Sequence, residues 1–205
     1  MGHWSQECTR PGQVIVDIGA NVGSFTRDFV GAVGREGVWA IEPHPDCQSA
    51  LQKVLAPDHV LQMAVTDTEG ETVLYRSVQT EHGSLYAANV LSEQGPIPVR
   101  AVTLDGLQAR GELPSPIHLI KVDAQGAEMA ILRGAEQLLR TQRPIWFLEL
   151  WAQGLTEAGS SVAEVIRTLR EAGYALVNHY SWEQVERDCV RMQAHGSLDI
   201  LVKAA

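Results

Sequence analysis

Four carboxylates end four apolar runs in this chain: Asp17 after Val-Ile-Val, Glu42 after Val-Trp-Ala-Ile, Asp123 after Ile-Lys-Val and Glu149 after Ile-Trp-Phe-Leu. A carboxylate at the tip of a buried strand requires water, a counter-charge or a ligand, because burying it alone is costly. Asp17 is followed by Gly19, Asn21 and Gly23 at alternate positions. Glycines there let backbone amides come close to a ligand, and the helix N-terminus that follows favours a carboxylate or phosphate. The chemistry implied is the holding of a nucleotide-type cofactor. The glycines do not follow the G-x-G-x-x-G spacing of dinucleotide sites, and no Lys-Ser/Thr pair of a phosphate-clamping loop follows. Asp17 would also repel a pyrophosphate. It suits a ligand carrying an ammonium and a sulfonium, as S-adenosylmethionine does, and Glu42 at the end of the second strand can accept from both ribose hydroxyls. The plain alternatives are a helix-capping turn and a solvated Glu; the ordered set strand–Asp–glycine loop–helix–strand–Glu favours the cofactor.

Methyl transfer from a sulfonium is an in-line displacement, so positioning dominates, and a hydroxyl acceptor needs a base for its proton. Asp123 ends the strand expected beside the first, near the donor's methionine portion. It reads as general base, as cofactor or substrate ligand, or as N-cap of a helix starting near Ala127. Lys121 points to the same face of the sheet and could pair with Asp123 or Glu149, or snorkel from a half-buried strand. Asp123 and Glu149 at neighbouring tips resemble the metal site of catechol-type methyltransferases, but two carboxylates are too few for a dedicated divalent-cation cage, so a metal is not favoured. Among seven histidines, His44 follows the ribose-binding Glu, and His82 and His179 are the reserve bases. Asp17→Ala is expected to abolish cofactor binding and leave the fold intact.

These residues need a framework of alternating strands and helices. Strands are expected over 14–18, 37–41, 59–65, 117–122, 145–150, 174–178 and 198–202, and helices over 24–33, 46–55 (Asp46 as N-cap), from about 127, and over 162–172 with Gly173 as C-cap. Two half-exposed strands, 71–76 and 99–104, flank a polar loop over 79–98. Runs without polar alternation are those of a parallel sheet covered on both faces.

The chain has 205 residues, 45% of them hydrophobic, and a net charge of -9. That length suits one domain, 1–205, and the acidity argues against a general grip on nucleic acid. Three scattered cysteines fit neither a disulfide framework nor a zinc site. With no signal-like N-terminus and no apolar run of membrane length, a soluble, cytoplasmic protein is expected.

The motifs VDIGANVGSF, IEPHPD, AVTDTEG, VTLDGL, IKVDAQGAEMAILRGA and RPIWFLEL, in this order, resemble the FkbM family of S-adenosylmethionine-dependent methyltransferases over about residues 13–150. The first motif is general to class I methyltransferases; the I-K-V-D-x-x-G-A-E segment with its L-R-G-A is more particular to the family. Gln125 departs from it, standing where Glu is frequent. The resemblance implies an α/β fold with a doubly wound, mostly parallel seven-stranded sheet, one strand antiparallel near the C-terminus, and a small β insertion around 70–104 on the substrate side. It implies a cofactor held by Asp17, Gly19, Ala20, Asn21, Gly23, Glu42, Pro43, Met63, Ala64 and Asp123, with Lys121, Asp123 and Glu149 at the chemistry. The expected reaction is O-methylation of a hydroxyl on a sugar, polyketide or other secondary metabolite, with no nucleic-acid or membrane partner and a homodimer left open. The rival readings are methylation of a macromolecular nitrogen and a non-catalytic binding module.

Overall fold

The structure, a computed structural model, describes residues 8–77, 83–87, 93–177, 181–192 and 196–205. The Ile15–Ile18 strand (β1) and the Leu119–Val122 strand (β7) are buried at every position, as strands covered on both faces must be. They form the middle of a seven-stranded sheet with Val38–Ile41 (β2), Val60–Leu61 (β3), Ile145–Leu150 (β8), Tyr174–Leu176 (β9) and Leu198–Ala204 (β10), in the order β3-β2-β1-β7-β8-β10-β9. Pairing is parallel from β3 through β8, and β10 runs antiparallel to both β8 and β9. The seven-stranded, mostly parallel sheet with its one reversed strand is as the sequence implies.

The helix Ser24–Val33 (α1) has the expected bounds, entered at Gly23 (φ 85°) and left at Gly34 (φ 92°). Phe29 and Val33 on its inner face pack with Ile15, Leu51 and Leu55 on one side of the sheet, each large side chain contributing roughly 1.5–3 kcal/mol by leaving water. The opposite side buries the larger core around Ile120, Trp146, Leu148, Ile131 and Leu169. That side is covered in part by Glu128–Arg133, Glu136–Arg140 and Val162–Glu171, the last capped by Ser161 and ending just before Gly173.

Several expectations change. The stretch read as one strand over 59–65 divides: β3 joins the large sheet, while Ala64–Val65 (β4) joins a three-stranded sheet β4-β6-β5 with Gly70–Ser77 (β5) and Glu93–Val102 (β6). Strand β6 begins earlier than expected and takes in residues 93–98 of the loop assigned to 79–98. Leu104 starts a short helix, Leu104–Ala109, because Thr103 Oγ1 accepts from Gly106 N. The expected helix over 46–55 is a 3-10 turn, Pro45–Cys47, running into Gln48–Leu51, and its cap is His44 rather than Asp46: His44 Nδ1 accepts from Asp46 N. The helices Ala152–Glu157 and Trp182–Met192 lay outside the sequence expectation. Among the described residues no helix is long and apolar enough to cross a membrane.

Candidate functional site

The carboxyl ends of β2, β1, β7 and β8 open into a cavity of about 280 Å³. Glu42, Pro43 and His44 line it on the β2 side, Gly19 and Asn21 at β1, and Asp123, Ala124, Gln125 and Glu149 at β7 and β8. Met63, Ala64 and Val65 lie along it, and Leu74, Gly83, Ser84 and Leu85 of the insertion complete the wall. From β2 to β8 are three strand spacings, roughly 14 Å at about 4.8 Å each. Asp17, Ala20, Gly23 and Lys121, also expected at the cofactor or the chemistry, do not line this cavity. His82 and His179 lie outside the described residues.

Asp17 instead turns inward. It is fully buried, its Oδ2 accepts from Thr26 Oγ1 at 2.7 Å, and Lys121 Nζ lies 3.2 Å from Oδ1 as an ion pair rather than a well-angled hydrogen bond. The two residues are direct partners across the β1–β7 ladder. Lys121, itself only 2% exposed, donates to Gly19 O at 2.9 Å, lies 3.4 Å from Asp123 Oδ2 and sits over the Phe25 ring. Of the pairings considered for Lys121, that with Asp123 is present, and Asp17, not Glu149, is the second partner. Burial alone would depress the Lys121 ammonium, but the Asp17 and Asp123 carboxylates outweigh it and raise its pKa.

The glycine loop also works chiefly on the protein itself. Gly19 N and Ala20 N donate to Ile41 O, Gly23 N to Ala20 O, and Asn21 N to Glu42 Oε2. A Cβ on Gly19 would lie 1.8 Å from the Asp123 carbonyl oxygen, and its φ is +69°. This glycine is demanded by the contact between two strand tips. Glu42 is 7% exposed and each of its oxygens accepts one backbone N–H, from Asn21 and from His44, both at 2.8 Å. Burial raises its pKa, against the pull of those bonds. Each oxygen keeps a lone pair for a further donor.

At the other end, Asp123 does not cap the helix after Ala127, which has no side-chain cap. Glu128 takes that region: its Oε1 accepts from Ala124 N and Gly126 N, and burial pushes its pKa up to about 7. Burial opposes ionisation of Asp123, yet the Lys121 charge and hydrogen bonds from Glu149, Lys121 and Gln125 hold its pKa below the ordinary value. Glu149 moves the other way, to about 8, through burial and then the adjoining Asp123, with Ser197 Oγ donating to Oε1 and Asp199 adding like charge. Two carboxyls in hydrogen-bond contact oppose ionising together, which with the Lys121 charge holds Asp123 low and Glu149 high. Gln125, with φ 48°, supplies an amide donor to Asp123 at 3.4 Å, where a Glu would set a third carboxyl group instead.

Sequence reasoning missed Thr26, Ser197 and Asp199, since the register that sets Asp199 opposite Glu149 is non-local, and it missed the part of Ser84. Ser84 pairs with Tyr75 through both backbone groups, and its hydroxyl donates to Gln125 O at 3.0 Å. The insertion is thus fastened to the β7 tip.

The cavity wall contains three carboxylic groups and, among the described lining residues, no Lys or Arg. Such a wall repels a pyrophosphate and attracts a sulfonium or an ammonium. A family model for the FkbM methyltransferase domain matches residues 17–176. The chain belongs to the FkbM methyltransferase family. The FkbM domain is of the S-adenosylmethionine-dependent kind, and the charge of its cavity fits that cofactor. Over 154 residues it is 27% identical to the 2-O-methyltransferase NoeI of Sinorhizobium fredii, covering 67% of this chain and 63% of that protein. The fold is that of an FkbM methyltransferase from Methylobacillus flagellatus (TM-score 0.56, 14% identity, 99% of this chain and 50% of that one). It is also that of the Streptococcus mutans protein SMU.1697c in complex with SAH (TM-score 0.54, 8% identity, 98% and 93%). The FkbM domain therefore spans less than two thirds of NoeI and half of the Methylobacillus chain. Among its described residues no group of three or more His, Cys, Asp or Glu is arranged to hold a metal ion.

Proposed function

We propose that this FkbM domain methylates a hydroxyl oxygen of a small molecule, with Asp123 receiving the hydroxyl proton. The observation that carries the reading is Asp123 and Glu149 side by side on the cavity wall, with the buried Lys121 Nζ 3.4 Å from Asp123 Oδ2, three strands from Glu42. The name of the 27% identical relative, a 2-O-methyltransferase, favours oxygen as the accepting atom. When bound, S-adenosylmethionine supplies an electrophilic methyl group. Glu42 would accept from the ribose hydroxyls, Asn21, Pro43, Met63 and Ala64 would flank the adenosine, and the negative wall at Asp123 would favour the sulfonium.

Asp123 is suited to its part because Lys121, Gln125 and Glu149 fix it ionised in one orientation. Asp123 would take the proton of the acceptor hydroxyl, leaving its oxygen free to accept the methyl group that the bound donor would supply. Lys121 then acts as a positioning residue, reaching Gly19 O and two carboxylates at once. A resident divalent cation has no part in this proposal, since the Lys121 ammonium lies where a cation on Asp123 would be repelled. The acidic chain and cavity favour a neutral or cationic small acceptor over nucleic acid.

The test is Asp123→Asn with a labelled methyl donor and a panel of hydroxylated sugars and polyketides. Turnover at saturating donor should fall by about 10²–10⁴, with affinity for S-adenosylhomocysteine changed by less than about tenfold. Near-parental turnover in the folded variant would remove Asp123 as base, and a loss confined to donor affinity would make it a cofactor ligand.

A further inference from the structure

Three buried side-chain atoms among the described residues lack a hydrogen bond: Asp17 Oδ1, Glu128 Oε2 and His44 Nε2. Lys121 neutralises the first. The second belongs to a carboxyl whose other oxygen is held by two backbone amides. His44 differs from both, because it is 1% exposed and is the one of the three residues that lines the cavity.

The tautomer of His44 follows from its own contacts. Nδ1 accepts from Asp46 N at 3.2 Å, capping the 3-10 turn. A neutral imidazole that accepts at Nδ1 carries its proton on Nε2 and is a donor there. The ring is fixed further because His44 N donates to Glu42 Oε1 and His44 O accepts from Gln48 Nε2. A buried donor with no acceptor is costly, and such groups in native proteins have an explanation.

We propose that His44 Nε2–H donates to an acceptor atom of the cofactor's adenosine, a ribose oxygen or a ring nitrogen, and so completes with Glu42 a paired recognition element. Glu42 accepts from the ribose and His44 gives, so between them they read a group that has both donors and acceptors. This rests on the cofactor reading above, and it gives His44 a donor role beside the acceptor role of Glu42.

The experiment uses the two amide residues that each mimic one imidazole nitrogen. Asparagine at this position places an oxygen near Nδ1 and keeps the cap; glutamine reaches the place of Nε2 with an N–H and gives up the cap. S-adenosylhomocysteine binding is measured by calorimetry, and melting temperature is measured without ligand. His44→Asn should melt close to the parent and bind about tenfold more weakly, the effect of one lost hydrogen bond in a buried site. His44→Gln should melt lower and bind within about threefold of the parent. Parental affinity in His44→Asn, or equal weakening in both variants, would overturn the donor role while leaving the cofactor reading in place. Failure of the parent protein to bind S-adenosylhomocysteine would overturn both.

Discussion

Replacing Asp17 by Asn should cost stability first and binding only second. The carboxylate has no exposure, and Lys121 has 2%. The variant leaves an ammonium in the centre of the sheet with Asp123 as its remaining counter-charge, and that side chain is 28% exposed at 3.4 Å. The amide also keeps a single acceptor oxygen, so Thr26 Oγ1 and Lys121 Nζ can no longer both face one. Breaking one side of a buried ion pair is worth about 3–5 kcal/mol. For a chain of this size each kcal/mol moves Tm by about 2–4 °C, so the melting temperature should fall by about 6–20 °C. The sequence alone placed Asp17 at the cofactor and expected an intact fold; burial and pairing reverse that order. The decisive comparison is a double-mutant cycle with Lys121→Met, followed by thermal and urea unfolding. Once Asp17 is Asn, adding Lys121→Met should change stability far less than it does in the parent, with a coupling of about 2 kcal/mol. Additivity within about 0.5 kcal/mol, or a single variant melting within about 2 °C of the parent, would refute the claim that this pair organises the centre of the sheet.

Three further outcomes are expected. Gly19→Ala must displace the Asp123 carbonyl and adopt a left-handed φ, so it should lower Tm by more than about 6 °C; a parental Tm counts against the contact. Glu42→Gln sets an amide N–H against the backbone donors of Asn21 and His44, and should weaken S-adenosylhomocysteine by about tenfold or more in calorimetry; equal affinity would place the ribose elsewhere. Glu149 holds a proton in the folded state up to about pH 8, whereas its ordinary value is 4.5. Its contribution is therefore fully present below about pH 4.5 and lost as pH rises toward 8, so Glu149→Gln should flatten the decline of Tm over that range, and parallel profiles for variant and parent would exclude it.

The strand tips were legible because apolar runs ending in a carboxylate leave few alternatives, and α1 because Phe25, Phe29 and Val33 recur at helical spacing beyond Gly23. What each carboxylate touches was not legible. Asp17 finds Lys121 through a register between strands a hundred residues apart, which no local pattern encodes. Burial hides the same fact: Lys121 in a run of Ile, Val and Leu reads equally as a snorkelling cation. The division of 59–65 between two sheets turns on Gln62 and Met63, two ordinary residues. Short helices such as Leu104–Ala109 have too few turns for a periodic signal, although Thr103 followed by Asp105 and Gly106 carried a capping cue. His44 took the cap from Asp46 because the turn begins one residue earlier, at Pro45, which puts Asp46 inside it.

The small sheet is a closed excursion of the chain. It departs after Leu61 and rejoins the main body at Thr103, and its two ends are stitched together by Thr66 N donating to Val102 O. Residues may therefore be added to or taken from the interior of that excursion without altering the alignment of the seven-stranded platform, whose pairing involves none of them. One wall of the cavity is thus built by a segment that takes no part in pairing the floor beneath it, so a change of length there would reshape the cavity and leave the platform in register.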